Sequence, residues 1–576
     1  MSLKNNIKYF IKMKVSKFFN LILLLSSLNI VFNKRCGSSD LKITKGSLNL
    51  NKKTNLKKTQ ASSNSSFTPI SIGFDFTTLE KPESMDDTIF QKVIILINET
   101  REEFSKFIQI VHQEIDLTGK KEEIMSQCNI TTMSDKYADF LKENDIIIFP
   151  MFSERLGEGV LAAAGNCLTD EEKTPRPIVG ILYLNQNLDF VANNTELFMK
   201  NLLFHELTHA LVFDPDLLIN LGMAKEEDSL VYITSPKVLQ EVNKHFNCSI
   251  DKFPLENQGE EGTVGAHWDS RYMLGDYMCA DFDYREAVMS NISIALFEDT
   301  GYYKVNYYSG GLFKYGKNKG CDFLNKKCVI NGEPISEEFF SEEDQDKDKC
   351  SPSRTIRYNS FLFSYDEELD TEYQYFSDPN LGGYQFAEFC PVAFGEVYYN
   401  DDGNEDDYFT RSCQVGTLSN NYGEKIGNES FCFISSLLPS SSSETQTSKA
   451  VCYEVECDST NKNITVKIGS ERIICPAEGN EAYTPSGFKG SIVCPKYEDI
   501  CDFTDDKVCN GIFTCLDNLA ANDDYKASYC DFEDNETYCI DKDDDDDYIT
   551  PITTDNSEGN KLNLILFVFN FIIFLL

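Results

Sequence analysis

The segment His205-Glu206-Leu207-Thr208-His209 decides how this sequence is interpreted. Side chains four residues apart lie on one face of a helix, so both imidazoles can bind one metal ion. Glu206 follows His205, and its carboxylate can act as the general base that takes a proton from a metal-bound water. Because the chain has only five histidines, this spacing is informative. The segment predicts a helix that carries a catalytic Zn²⁺ site, with one ion per chain.

The third zinc ligand is predicted to be His267, because a catalytic zinc has three protein ligands and one open position. Met278 follows His267 by eleven residues. A methionine there suits a tight turn beneath the metal, with its thioether packed under the imidazoles. His245 lies beside a glycosylation sequon and is expected at the surface. Glu260 or Glu261 as the third ligand would indicate a different class of zinc protease.

The residues after the second histidine depart from the metzincin pattern. In metzincins a glycine comes three residues after that histidine, and the third histidine comes three residues later. Val212 and Pro215 occupy these two positions here. A β-branched residue is strained in a left-handed turn. We therefore expect strain at Val212 unless the chain leaves the helix by another route.

Composition narrows the class of protein. The chain has 576 residues, 41% of them hydrophobic, which is enough for two to four folded domains. Its formal net charge of −40 argues against nucleic acid as a partner, because the phosphates would be repelled. Twenty cysteines indicate a disulfide framework and therefore an oxidising compartment.

Both termini predict passage through the secretory pathway to the cell surface or the medium. Residues 1–33 join a lysine-containing start to a short apolar run, as in a signal peptide. Residues 562–576 form a hydrophobic tail, and the small residues before it make Ser557 the candidate site of a glycolipid anchor, with a tail-anchoring helix as the alternative. Sequons for N-linked glycans occur at Asn64, Asn98, Asn129, Asn193, Asn247, Asn291, Asn428, Asn463 and Asn535.

Between the termini, the pattern predicts six further segments. They are a pro-segment or flexible stalk (34–66), an N-terminal catalytic subdomain with the zinc helix (67–212), an insertion between zinc ligands (213–262), a C-terminal catalytic subdomain (263–440), a cysteine-rich module (450–540) and an acidic stalk (541–561). Apolar spacing predicts a helix from Asp87 to Glu114, and apolar runs predict strands at 145–149 and 178–184. Thr195 is expected to cap the zinc helix.

With these residues in view, the sequence resembles the leishmanolysin family of zinc metallopeptidases, a metzincin branch in which an insertion displaces the third histidine. The 58 positions from His209 to His267 agree with such an insertion. The resemblance is clearest over residues 145–330, including 176–180 and 293–303. It implies an α+β fold in which a metzincin-like core, a mixed twisted sheet with an active-site helix, is split by a cleft. A disulfide-rich C-terminal region follows.

The resemblance also has consequences for the cysteines. Family pro-segments keep the enzyme latent with a cysteine thiolate on the zinc, and Cys36 is the candidate for this switch. Cys279, beside Met278, is unusual for the family. If Cys36 and Cys279 are both unpaired, eighteen of the twenty cysteines remain for nine disulfides.

The function predicted from the sequence is a zinc endopeptidase that acts on extracellular or surface polypeptides. The second hypothesis is a catalytically inactive surface protein for adhesion or binding that retains the fold. Intact ligands, an intact Glu206 and the Met278 segment favour catalysis, with a role in adhesion as an addition. Val212 is the main feature that argues against catalysis.

Overall fold

The structure, a computed structural model, describes residues 46–48, 67–113, 115–154, 156, 160–170, 175–186, 196–259, 263–280, 287–394, 412–414, 423–427, 429–501 and 511–521. All of them belong to one compact unit that extends to Glu536. Several predictions lie outside these residues: the signal peptide, Cys36, Thr195, Glu260, Glu261, the acidic stalk, Ser557 and the hydrophobic tail. Within the described part, no helix combines the length and apolar character needed to cross a membrane.

Eleven α-helices occur in the described residues. In chain order they are α1 (Asp87–Phe104), α2 (Lys121–Gln127), α3 (Tyr137–Glu143), α4 (Glu196–Leu211), α5 (Pro215–Asn220), α6 (Pro236–Phe246), α7 (Ser270–Met273), α8 (Asn291–Asp299), α9 (Cys321–Asn325), α10 (Tyr497–Cys501) and α11 (Ile512–Ala521).

The strands of the same residues are mostly short. In chain order they are β1 (Gly46–Leu48), β2 (Thr68–Pro69), β3 (Ile72–Phe74), β4 (Ile108–Ile110), β5 (Ile146–Ser153), β6 (Ala162–Asp170), β7 (Pro177–Asn185), β8 (Ala224–Glu227), β9 (Leu230–Ile233), β10 (Phe253–Pro254), β11 (Tyr303–Val305), β12 (Val329–Ile330), β13 (Glu333–Pro334), β14 (Asp348–Cys350), β15 (Arg357–Ser360), β16 (Phe363–Ser364), β17 (Leu381–Gly382), β18 (Ala393–Phe394), β19 (Ser430–Ser435), β20 (Leu438–Pro439), β21 (Lys449–Asp458), β22 (Asn463–Ile468), β23 (Glu471–Cys475), β24 (Ala482–Tyr483), β25 (Phe488–Lys489) and β26 (Ile492–Val493).

A five-stranded sheet in the order β1-β6-β7-β5-β3 forms the platform of the N-terminal half. Strands β3, β5 and β7 run parallel, whereas β6 is antiparallel to β7. The predicted strands correspond to β5 and β7, whose residues are almost all buried. Continuous apolar runs of this kind are typical of strands covered on both faces. The α+β prediction is confirmed.

Helix α1 is shorter than the sequence predicts. It begins after Asp86, whose carboxylate caps the helix by accepting a hydrogen bond from the amide of Thr88 at 2.7 Å. It ends at Phe104, and the remaining part of the predicted range contains strand β4, which pairs with β2 and β11. Local apolar spacing cannot reveal this pairing, because β11 lies almost two hundred residues further along the chain.

The described residues of the predicted insertion, 213–259, form a small layer of their own. Helices α5 and α6 flank a three-stranded sheet in the order β10-β9-β8. A disulfide from Cys248 to Cys321 then ties the end of α6 to α9. Residues 213–259 are therefore a folded layer that follows the zinc helix in the chain.

The C-terminal half is dominated by a six-stranded sheet in the order β23-β22-β21-β19-β26-β24. Strand β19 pairs with β21 along its whole length, so this sheet begins before the predicted start of the cysteine-rich module at 450. Seven disulfides are described, and five of them involve this half: Cys328–Cys390, Cys350–Cys432, Cys413–Cys452, Cys457–Cys501 and Cys475–Cys494. The predicted disulfide-rich C-terminal region is confirmed.

Candidate metal centre

Helix α4 carries the His-Glu-x-x-His segment through the centre of the N-terminal half. Thirteen of its sixteen residues are buried, because the helix packs against β6, β7 and α1. Gly180 of β7 allows this close approach: a Cβ there would lie 3.3 Å from the Cβ of Ala210 and 2.7 Å from the Cδ1 of Ile148. A helix that is buried on nearly all sides lies in the protein interior.

The structure brings His205, His209 and His267 together. The Nε2 atom of His209 lies 3.1 Å from that of His205 and 3.2 Å from that of His267. Three nitrogens bound to one tetrahedral zinc at about 2.0–2.1 Å would lie about 3.3–3.4 Å apart. The separations are therefore close to those of a zinc site, although the third ring comes from a distant part of the chain.

The second nitrogen of each ring is held by a backbone carbonyl. The Nδ1 of His205 lies 2.6 Å from the oxygen of Tyr277, that of His209 lies 2.8 Å from the oxygen of Phe213, and that of His267 lies 3.1 Å from the oxygen of Thr263. A carbonyl can only accept, so Nδ1 carries the proton and Nε2 carries a lone pair. Three lone pairs that face one another repel unless a cation lies among them. The donor set fits Zn²⁺.

Burial keeps all three imidazoles neutral. It lowers the pKa of His205 to about 3 and that of His209 to about 4, and it holds the pKa of His267 well below its ordinary value. The neighbouring rings lower the pKa of His205 and His267 further. Neutral imidazole is the form that binds a metal ion.

The chain after α4 passes Val212 without the left-handed turn that would strain a β-branched residue. This residue does not adopt a left-handed conformation, since it is absent from the described residues with positive φ. Instead, the amides of Val212 and Phe213 both donate to the carbonyl of Thr208, at 2.9 and 3.0 Å. Val212 is therefore not strained, because the chain leaves the helix by another route, which was the stated exception. That route also places the Phe213 carbonyl where it holds the ring of His209.

A glycine turn shapes the segment of His267. Gly265 has a φ of +75°, and its amide donates to the carbonyl of Glu256 at 2.8 Å. The amide of Glu256 in turn donates to the carbonyl of His267 at 2.9 Å. A Cβ on Gly265 would also lie 3.1 Å from the Cγ2 of Val231 in the insertion. The turn thus needs a glycine both for its backbone angle and for its contact with β9.

The Met278 segment forms a tight turn against the zinc helix. Asp276 accepts hydrogen bonds from the amide of Met278 and the hydroxyl of Ser293, both at 2.9 Å. Ser293 also accepts one from the indole N–H of Trp268 at 2.8 Å. Tyr277 lies between Asp276 and Met278, and its carbonyl is the one that holds the Nδ1 of His205. Met278 itself is fully buried. The turn and the His267 segment are therefore joined by side-chain hydrogen bonds.

Glu206 and Cys279, which the sequence analysis singled out, lie next to His205 and Met278 in the chain. Glu206 is fully buried in α4, next to His205. Cys279 is a free, buried thiol, and it donates a hydrogen bond to the carbonyl of Met273 at 2.9 Å. Burial raises its pKa well above the ordinary value. Cys279 is therefore a packed thiol and not a reactive one.

The rival ligand His245 lies elsewhere. Its Nε2 is 2.8 Å from the carbonyl of Tyr315, and its ring stacks on Phe313 at 4.9 Å. It is partly buried, so its predicted surface position is wrong. His112 is also engaged away from the centre, with Nδ1 3.0 Å from the carboxylate of Asp145.

Sequence reasoning missed the residues that hold the ligands in place. Gly265, Asp276 and Ser293 have no role in the motif, and the three carbonyls are backbone atoms that any residue supplies. One signal was available for part of this network: Trp268 is the only tryptophan of the chain and stands directly after His267. A buried indole needs an acceptor, which here is Ser293.

Comparison with known proteins gives a consistent result. The chain is 24% identical over 416 residues to a leishmanolysin homolog from Crithidia fasciculata, covering 68% of this chain and 60% of that protein. It is 24% identical over 438 residues to leishmanolysin from Leishmania tropica, covering 71% and 64%. A leishmanolysin-like peptidase from Caenorhabditis elegans is 28% identical over 326 residues, covering 49% and 47%.

The chain spans less than two thirds of the length of the first two of these relatives. The family model, in contrast, matches a continuous stretch that holds strands β5, β6 and β7 of the sheet, the zinc helix, the insertion and most of the C-terminal half. This is the Peptidase_M8 model, described as leishmanolysin, and it matches residues 75–507. The chain therefore belongs to the leishmanolysin family.

Proposed function

We propose that this protein is a zinc-dependent endopeptidase that hydrolyses peptide bonds of extracellular or surface proteins. The observation that carries the proposal is the convergence of three neutral imidazoles, whose Nε2 atoms lie 3.1 and 3.2 Å apart. Family membership supports it, because Peptidase_M8 is a family of zinc-dependent peptidases. In this proposal His205, His209 and His267 are the ligands of one Zn²⁺ per chain.

Each residue of the site would have a separate role in peptide-bond hydrolysis. A bound zinc supplies Lewis acidity and lowers the pKa of water toward about 7. The Glu206 carboxylate takes the proton from the attacking water and passes it to the nitrogen of the leaving amine. The Tyr277, Phe213 and Thr263 carbonyls keep each imidazole in the tautomer that leaves Nε2 available. Burial of Glu206 keeps bulk water from competing for its proton.

Location at the cell surface or in the medium is part of the proposal. Seven disulfides across the described residues support an oxidising compartment. The proposal also includes three features predicted from the sequence: a signal peptide at 1–33, N-linked glycans, and a membrane anchor, either a glycolipid at Ser557 or the hydrophobic tail. Cys36 would keep the proenzyme latent, and Cys36→Ala should then shorten the lag before activity appears.

The test uses the purified chain and its Glu206→Gln variant. Glutamine keeps the size of the side chain but cannot accept the proton, so casein cleavage should fall at least about 1000-fold while the zinc content stays near one ion per chain. Chelator-sensitive cleavage by the wild type is expected. A zinc-loaded wild type that does not cleave casein or gelatin would instead support the second hypothesis, an inactive surface protein for adhesion.

A further inference from the structure

Helix α11, near the end of the described chain, lies against the zinc helix. The ring of Phe513 meets the ring of Phe204 edge-on, with centroids 5.9 Å apart and an interplanar angle of 83°. The ammonium of Lys200 lies 4.9 Å from the centroid of the same Phe513 ring. Lys200 and Phe204 are one turn apart on α4, so Phe513 covers one strip of that helix.

Two other contacts hold α11 in this position. The ammonium of Lys106, just after α1, lies 2.9 Å from the carboxylate of Asp517. Leu516 and Leu519 are buried, and α11 packs against the short 3-10 helix at Tyr307–Ser309. The position of α11 is therefore fixed from three directions: by α4, by the end of α1 and by the segment after α8.

Phe204 links this contact to the metal centre. It directly precedes His205 and is fully buried. Its ring stacks on Phe104 at 4.3 Å and lies 5.4 Å from the ring of Tyr277. The carbonyl of Tyr277 holds the Nδ1 of His205 at 2.6 Å. A shift of the Phe204 ring would therefore disturb His205 twice, through its backbone and through the residue that orients its imidazole.

From this geometry we infer that α11 is a positioning element for the metal centre, with Phe513 as its main contact residue. The inference rests on the proposed zinc site and extends it. Helix α11 lies beyond residues 75–507, the range that the family model matches. The orientation of His205 would thus depend on a segment outside the range that the family model matches.

The first consequence is a weaker zinc site when the Phe513 ring is removed. Phe513→Ala deletes an aromatic pair and a cation–π contact, which together correspond to about a 10-fold change in an equilibrium constant. We expect the zinc dissociation constant to rise by about that factor. The turnover number should fall while KM changes little, because the Phe513 contacts are with Lys200 and Phe204 of α4.

The experiment measures zinc transfer from the full chain to a chromogenic chelator, and the visible spectrum of the Co²⁺-substituted protein. Phe513→Tyr retains the ring and should restore the wild-type values. Thr514→Ala is the matched control, since Thr514 is exposed on the same helix. Phe513→Leu, a milder change, replaces Phe513→Ala if the alanine variant does not fold, as judged by its thermal transition.

The outcomes separate the two proposals. A wild type that holds zinc, together with a folded Phe513→Ala or Phe513→Leu variant whose zinc affinity and cobalt spectrum match those of Thr514→Ala, overturns the positioning role alone. A wild type that binds no zinc overturns the proposed function, and the positioning role with it. Weaker zinc binding in the alanine variant, recovery with tyrosine and no change in the control establish the inference.

Discussion

Gly265→Ala should weaken the metal centre without touching a ligand. Gly265 has a φ of +75°, a left-handed angle that costs an alanine about 1–2 kcal/mol. The new Cβ would also lie 3.1 Å from the Cγ2 of Val231, so β9 or the turn must move by a few tenths of an ångström. The turn carries His267, whose Nε2 lies only 3.2 Å from that of His209.

The magnitude follows from these two terms. In the zinc-free protein the turn can relieve part of this strain by moving His267, so the free energy of unfolding, measured there with urea, should fall by less than about 1–2 kcal/mol. If the turn relieves its strain by moving His267, zinc binding must restore the strained geometry, and the zinc dissociation constant rises by about 5- to 30-fold. Equilibrium competition with a chromogenic chelator measures that rise.

Gly222→Ala is the matched control. Gly222 has a similar φ of +73°, but a Cβ there would meet nothing within 4 Å. It should lower the free energy of unfolding by about 1–2 kcal/mol and leave zinc affinity unchanged. The reasoning fails if both variants bind zinc equally well, because the strain at Gly265 would then be absorbed without moving His267.

Four further outcomes are expected. Ser293→Ala leaves the buried indole N–H of Trp268 without its acceptor at 2.8 Å, and should lower the free energy of unfolding by about 1–3 kcal/mol in urea titrations. The zinc-free protein should lose stability as the pH falls from about 6.5 to about 4, by up to roughly 3 kcal/mol from His209 alone, because burial lowers the pKa of that ring to about 4 and the unfolded chain takes up the proton first. Peptide mapping should find Cys279 unmodified by iodoacetamide in the native protein and modified after denaturation, since its thiol is buried; native labelling would contradict the packing. His245→Gln should leave the zinc content unchanged, because that ring lies outside the metal centre.

The extent to which the site could be predicted depends on how far apart its parts lie in sequence. The i, i+4 pair on α4 follows from helix geometry alone, and strands β5 and β7 follow from continuous apolar runs. His267 needed the Met278 segment as an additional sign, because no local rule brings residues 58 positions apart together. Strand β4 was missed because its partners β2 and β11 are supplied by tertiary structure.

The behaviour of Val212 shows a second limit. A β-branched residue is strained in a left-handed turn, but this matters only where such a turn is present. Here two amides share the Thr208 carbonyl, and no left-handed residue is needed at position 212. The alternative depends on Phe213 being able to pack behind His209, which the residue pattern after the motif does not show.

The covalent links of the C-terminal half affect how this protein would respond to being cut by a protease. The Cys413–Cys452 disulfide bridges across residues 436–448, and Cys350–Cys432 links the strand just before them to β14. Strand β19 precedes this stretch and β21 follows it, and the two strands pair with each other in the sheet. A chain nicked within 436–448 should therefore migrate as one species on a non-reducing gel and as two fragments after reduction. Processing there would leave the fragments joined until the disulfides are reduced.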